Sequence, residues 1–172
     1  MIIPAAYSCN KGLVLDFCMC TPAEDIREFM KKWDLSPEND SCLNFTQEQQ
    51  LQIDLDNPLC LDIIPCLKLN GKTMQASHSC SVVFNPCLSD ETNNELEAKW
   101  AVKHYELDIS YGWMIFRAAF LWPGKRRPEI KSFSLTMEQQ PFRIPGPHFK
   151  IHAPGDQFAF SHPISEIEYI LT

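Results

Sequence analysis

The chain has 172 residues, a formal net charge of −7 and 45% hydrophobic residues, with 4 Trp and 11 Phe. That length fits one domain over residues 1–172 with a sizeable core. The acidic balance lacks the broad basic face that phosphate neutralisation needs, which excludes nucleic acid as a partner. Charge is also uneven: 15 acids face 6 bases in residues 1–97, and 7 face 9 in residues 98–172.

Met1 to Tyr7 has no basic leader, and its short apolar stretch is broken by Pro4, so no secretory signal is expected. Gly112 to Trp122, the longest apolar run, has 11 residues and contains Arg117. A membrane span needs about 18 or more. The expected setting is therefore a soluble, cytoplasmic protein without a membrane partner, its cysteines free. All eight cysteines lie between Cys9 and Cys87. Buried free cysteine acts as a small hydrophobe, so core packing is the ordinary expectation for most of them.

Tyr7 to Cys20 reads as a strand pair turning at Asn10-Lys11-Gly12, with Leu13, Leu15 and Phe17 alternating against Val14, Asp16 and Cys18. A helix over about 22–34 follows. Thr21 and Glu24 have capping-box spacing around Pro22, and Ile26, Phe29, Met30 and Trp33 form one apolar stripe. From Gln50 to Pro86 the pattern predicts strands, with Leu51, Ile53 and Leu55 on one face and Asp54 and Asp56 on the other. Asn70-Gly71, between Cys66–Leu69 and Lys72–Met74, predicts a hairpin through a turn that needs positive φ. Gly71-Lys72-Thr73 resembles the end of a phosphate-binding loop, but Cys66 stands where that motif needs glycine.

A second helix is expected over about 95–107, with Ala98, Ala101, Val102 and Tyr105 on one face and Trp100 beside them. Gly112 to Trp122 reads as a strand buried on both faces. Phe133, Leu135 and Met137, then Phe149 and Ile151, then Ile167, Tyr169 and Leu171 alternate as later strands. Seven of the 13 prolines fall between Pro123 and Pro163, which suits short strands and tight loops. The expected class is α+β: a β-rich antiparallel sandwich or bent sheet with two packed helices.

Several groups are candidates for chemistry. Cys18-x-Cys20 and His78-x-Cys80 each place a pair on one strand face, and together they have the donor types of a tetrahedral zinc site. No Cys-x-x-Cys supports that, so no cofactor is the first expectation and zinc the alternative. Cys20, beside a helix start, is the best candidate for a reactive thiol. His148 and His152, four strand residues apart, are about 13 Å from each other and too far for one ion. Asp54 and Asp56 could serve acid/base chemistry, and Lys125-Arg126-Arg127 could grip an anion, although solvated surface explains both. Arg117 is more interesting than these surface groups. A guanidinium among Trp113, Met114, Ile115, Phe116, Phe120 and Trp122 must find a carboxylate, water or ligand if buried.

Gln140 to Phe149, His162-Pro163, Glu168 to Thr172, Gly112-Trp113 and Pro123 to Pro128 together resemble an uncharacterised group of proteins from anaerobic Firmicutes bacteria. The resemblance covers mainly residues 95–172 and implies no activity, though an anaerobic cytoplasm fits reduced cysteines. Three functional classes follow from the residues. The first is a non-catalytic binding or interaction module, whose partner is another protein or a second copy. The second is a ligand-binding protein or enzyme with a site near Arg117 and His104. The third is a thiol or zinc protein using Cys18, Cys20, His78 and Cys80.

Overall fold

A computed structural model describes residues 1–35, 45–60, 63–88, 95–124, 126–139, 150, 153–161 and 167–171. Its elements are β1 (Ile2–Ser8), β2 (Gly12–Pro22), α1 (Ala23–Lys32), α2 (Gln47–Asp56), β3 (Ile63–Leu69), β4 (Lys72–Phe84), α3 (Leu96–His104), β5 (Tyr111–Leu121), β6 (Phe133–Gln139), β7 (Phe158–Ser161) and β8 (Glu168–Leu171). Among the described residues, six strands form one antiparallel sheet in the order β1-β2-β5-β4-β3-β6, and β7 pairs with β8 in a second, two-stranded sheet. The sheet is curled, and with three helices the class is α+β. Among the described residues no helix is long and apolar enough to cross a membrane.

The strand period of two divides the core between the faces of the sheet. Leu13, Leu15, Phe17 and Met19 of β2, Met114, Phe116 and Phe120 of β5, and Leu67 and Leu69 of β3 pack together on the inner face, with Leu135 and Met137 of β6 against them. On the outer face Cys18, Trp113, Ile115 and Phe84 pack under Ala98, Ala101 and Val102 of α3. The expected burial of β5 on both sides is thus present, with Arg117 the break in it.

The Asn70-Gly71 hairpin forms as expected, with φ of 50° and 79° at its two turn residues. Asn70 does more than turn the chain. Its Oδ1 accepts from the Lys131 and Ser132 N–H groups, at 2.8 and 3.0 Å, and its Nδ2 donates to the Glu129 carbonyl, guiding β6 onto β3.

Three expectations need correction. The segment 47–56 is helical, and its start is a Thr46/Gln49 capping box: Gln49 N–H donates to Thr46 Oγ1 and the Gln49 side chain accepts from Thr46 N–H. Alternation over Leu51, Ile53 and Leu55 does not persist as a strand, because only Ile53 of α2 is buried. Thr21 does not cap α1. It is held in β2 by pairing with Gly112, its hydroxyl donates to the Pro58 carbonyl at 3.0 Å, and Pro22 takes the cap position. Nor are the cysteines mostly core. Of the seven described, only Cys18 is buried, while Cys9, Cys20, Cys60 and Cys80 are exposed. They sit in the β1–β2 turn, near the end of β2, after α2 and in the second half of β4. Lys125, residues 140–149 with His148 and Phe149, Ile151, His152 and His162-Pro163 lie outside the described residues.

Candidate functional site

β2 and β5 run side by side in a register that sets Asp16 opposite Arg117. Both residues lie on the outer face, one step along from Cys18 and Ile115, which α3 covers. Arg117 Nε donates to Asp16 Oδ1 at 2.6 Å and Nη2 donates to Oδ2 at 2.7 Å, a bidentate fork. The first residue beyond α3 completes the group. Tyr105 donates its hydroxyl to Asp16 Oδ2, and the Tyr7 hydroxyl of β1 lies 3.5 Å from that of Tyr105. Arg117 also sits over the Tyr7 ring, 5.5 Å from its centroid. Asp16 is 1% exposed while the Arg117 side chain is 49% exposed, so the carboxylate is sealed and the guanidinium reaches the surface.

The backbone at the end of α3 fixes Tyr105. Its N–H donates to the Ala101 carbonyl, and Glu106 then takes a positive φ of 52°, which turns the chain so that Leu107 is buried beside Val102. Tyr105 is left over the sheet with its ring reaching Asp16.

These contacts hold each group in one protonation state. Burial pushes Asp16 up, but hydrogen bonds from Arg117 and Tyr105 and the Arg117 charge outweigh it, so its carboxyl lies below the usual range. Burial and the bond to ionised Asp16 push the Tyr105 phenol far above its ordinary value. The bond to Asp16 raises Arg117 further, against the opposing effect of burial. Beneath α3, burial and the nearby Asp16 charge push the Cys18 thiol up to about 11, which keeps it protonated and unreactive.

Next to this group a cleft of about 440 Å³ opens between α3 and the second half of β4. Its walls are Cys80, Ser81 and Val82 on one side and Leu96, Glu97, Trp100 and Ala101 on the other, with Ile115, Tyr105, Asp16 and Arg117 between them. Leu96 is 80% exposed and Trp100 59% exposed, a large apolar surface left to water at the rim. Trp100 is stacked on His104, with ring centroids 4.5 Å apart and planes 10° from parallel. Asp16 and Arg117 cancel in charge. Glu97 is then the unbalanced charge of the cleft, and among the described residues it has no ion-pair partner.

Arg117 was legible from sequence and its counter-ion is Asp16. His104 lies beside the site but does not line it, since one helical turn separates it from Trp100 and it supports that ring from behind. Asp54 and Asp56 are not on a strand face. They lie on α2, where Asp54 accepts from Gln50, and Asp56 accepts from Lys32 and Trp33. The four proposed zinc ligands are not brought together. β5 lies between β2 and β4, so Cys18 and Cys20 are about 10 Å across the sheet from β4. Along the strands, Cys80 is level with Arg117 and Asp16 rather than with Cys18. Among the described residues no three His, Cys, Asp or Glu side chains are grouped to hold a metal ion.

By sequence alone Tyr105 and Trp100 belong only to a helix face, and Asp16 is only a polar strand position. The usable signal was Asp16 itself, a single carboxylate within the apolar run Leu13 to Met19. Neither a scan of protein-family models nor searches of curated proteins and of solved structures give a match to this chain.

Proposed function

We propose that this chain is a non-catalytic binding module, working in the cytoplasm, whose binding site is the cleft between α3 and β4. The observation that carries this reading is the pairing of an apolar, aromatic-rimmed cleft with an ionic group closed upon itself. A general acid or base needs a pKa near the working pH. Asp16 is held low, and Tyr105 and Arg117 are held high, so none of them exchanges a proton near neutral pH. What they supply is rigidity. They bind β1, β2, β5 and the end of α3 into one frame and keep the cleft at a fixed width.

A neutral apolar dye tests this directly. N-phenyl-1-naphthylamine is expected to bind wild type saturably with a rise in fluorescence, and Trp100→Ala is expected to weaken that binding about tenfold through loss of the aromatic wall. Trp100 is largely exposed, so the variant keeps the fold. Equal dye binding by wild type and Trp100→Ala would remove the cleft from consideration.

A further inference from the structure

β4 changes partners along its length. Lys72–Gln75 pair with β3, and Ala76–Phe84 pair with β5 across an irregularity at Ser77. β3 leaves β4 where Pro65, which has no N–H to give, follows Cys66 outward. From Ser77 to Phe84, β4 therefore has a strand on one side only among the described residues, and Ser77–Ser81 are all exposed. Half of the backbone donors and acceptors of this stretch point away from β5.

Exposed strand edges are ordinarily blunted by lysine, proline or inward-pointing charge. Ser77-His78-Ser79-Cys80-Ser81-Val82-Val83-Phe84 contains no proline, Lys, Arg, Asp or Glu. The β1 edge, by contrast, carries Pro4. Beside the open β4 edge stands the cleft, with Cys80, Ser81 and Val82 as one wall and the exposed Leu96 and Trp100 of α3 as the other. A row of backbone groups with no strand partner among the described residues, beside an apolar helix face, is the combination that an extended peptide satisfies: main-chain bonds supply affinity and alternate side chains enter the pocket.

We infer that this groove takes an extended peptide segment of a partner protein, added antiparallel or parallel as a strand to β4 over residues 77–84. An apolar side chain of the peptide lies against Leu96 and Trp100, and a neutral or basic flank faces Glu97. The inference rests on the cleft being the binding site and adds the chemistry of its occupant.

The test uses the full chain as bait for a random dodecapeptide library on phage, with an enriched peptide then synthesised. The expected peptides share an apolar or aromatic anchor without excess acid and displace N-phenyl-1-naphthylamine. Bound peptide should slow amide exchange within 77–84, and N-methylation at alternate peptide residues should weaken binding about tenfold or more, while N-methylation at the intervening residues does not. Peptides that displace the dye yet leave exchange across 77–84 unchanged would overturn strand addition. So would a failure to enrich any peptide while dye binding still depends on Trp100. Both results leave the cleft reading intact. Protection of 77–84 that appears with protein concentration alone would assign the edge to a second copy and overturn the peptide. Absence of dye binding as well as peptide binding would overturn the cleft itself.

Discussion

Gly12→Ala is expected to lose about 3 kcal/mol of stability, because the added Cβ has no room and the obstacle is backbone. Gly12 opens β2 opposite Leu121, and a Cβ built there collides with the Phe120 carbonyl oxygen and comes within 3.3 Å of Leu121 Cα. A flexible side chain could swing away from such a clash, whereas here the ends of β2 and β5 must separate. That seam also carries the Trp122 indole, whose Nε1 donates to the Cys9 carbonyl at 2.9 Å, so the turn and the inner core feel the shift. Gly124→Ala is the matched control, with nothing within 4 Å of its Cβ, and should change stability by less than about 0.5 kcal/mol. Urea midpoints of the two variants decide the matter. Equal midpoints would mean that the β2–β5 register is wrong at its end.

The second large effect concerns the buried carboxylate. Arg117→Met leaves the buried Asp16 carboxylate without its bidentate cation and, among the described residues, with Tyr105 as its strong donor, and removal of one partner of a buried pair costs several kcal/mol. We expect about 3 kcal/mol at pH 7, the low end of that range, since Arg117 is half exposed and water can enter behind it. The pH dependence identifies the cause. In wild type the folded Asp16 value lies below its ordinary 3.8, so its stabilisation is fully present above that value and is lost as pH falls through the folded one. In the variant, burial dominates and the folded value rises above 3.8, so stability present at lower pH is lost as pH rises through it. The gap between the two proteins should thus be widest at neutral pH and narrow below about pH 4. Asp16→Leu combined with Arg117→Met should recover at least half of the loss, because an apolar pair of similar volume needs no charge compensation. A gap that is independent of pH would attribute the loss to packing.

What could be read from sequence follows from the range over which each signal acts. α1, α3, β5 and the Asn70-Gly71 hairpin were legible because periodicity and turn chemistry are local. The same locality makes α2 look like a strand. Five alternating residues satisfy a strand and a weakly amphipathic helix alike, and the decisive cue was the Thr46-x-x-Gln49 cap just upstream. Arg117 stood out as a cation in an apolar run, but its partner lies 101 residues away, and only strand order makes them neighbours. Strand order also separated the two cysteine-containing pairs. Spacing alone put each on a common face and could not show that β5 would lie between them. The edge of β4 that no described strand covers is beyond sequence altogether, because it exists only where β3 and β5 take different halves of one strand.

The most direct measurement of the central claim is an NMR titration of wild-type protein from pH 4 to pH 9, following the Asp16 carboxyl carbon and the Tyr105 ring. No titration midpoint at either site across that range is the predicted result, with Asp16 predominantly ionised, Tyr105 protonated and the group serving only to hold the cleft. A midpoint for either residue between pH 5 and pH 8 would contradict it and place a proton-transfer group at the mouth of the cleft.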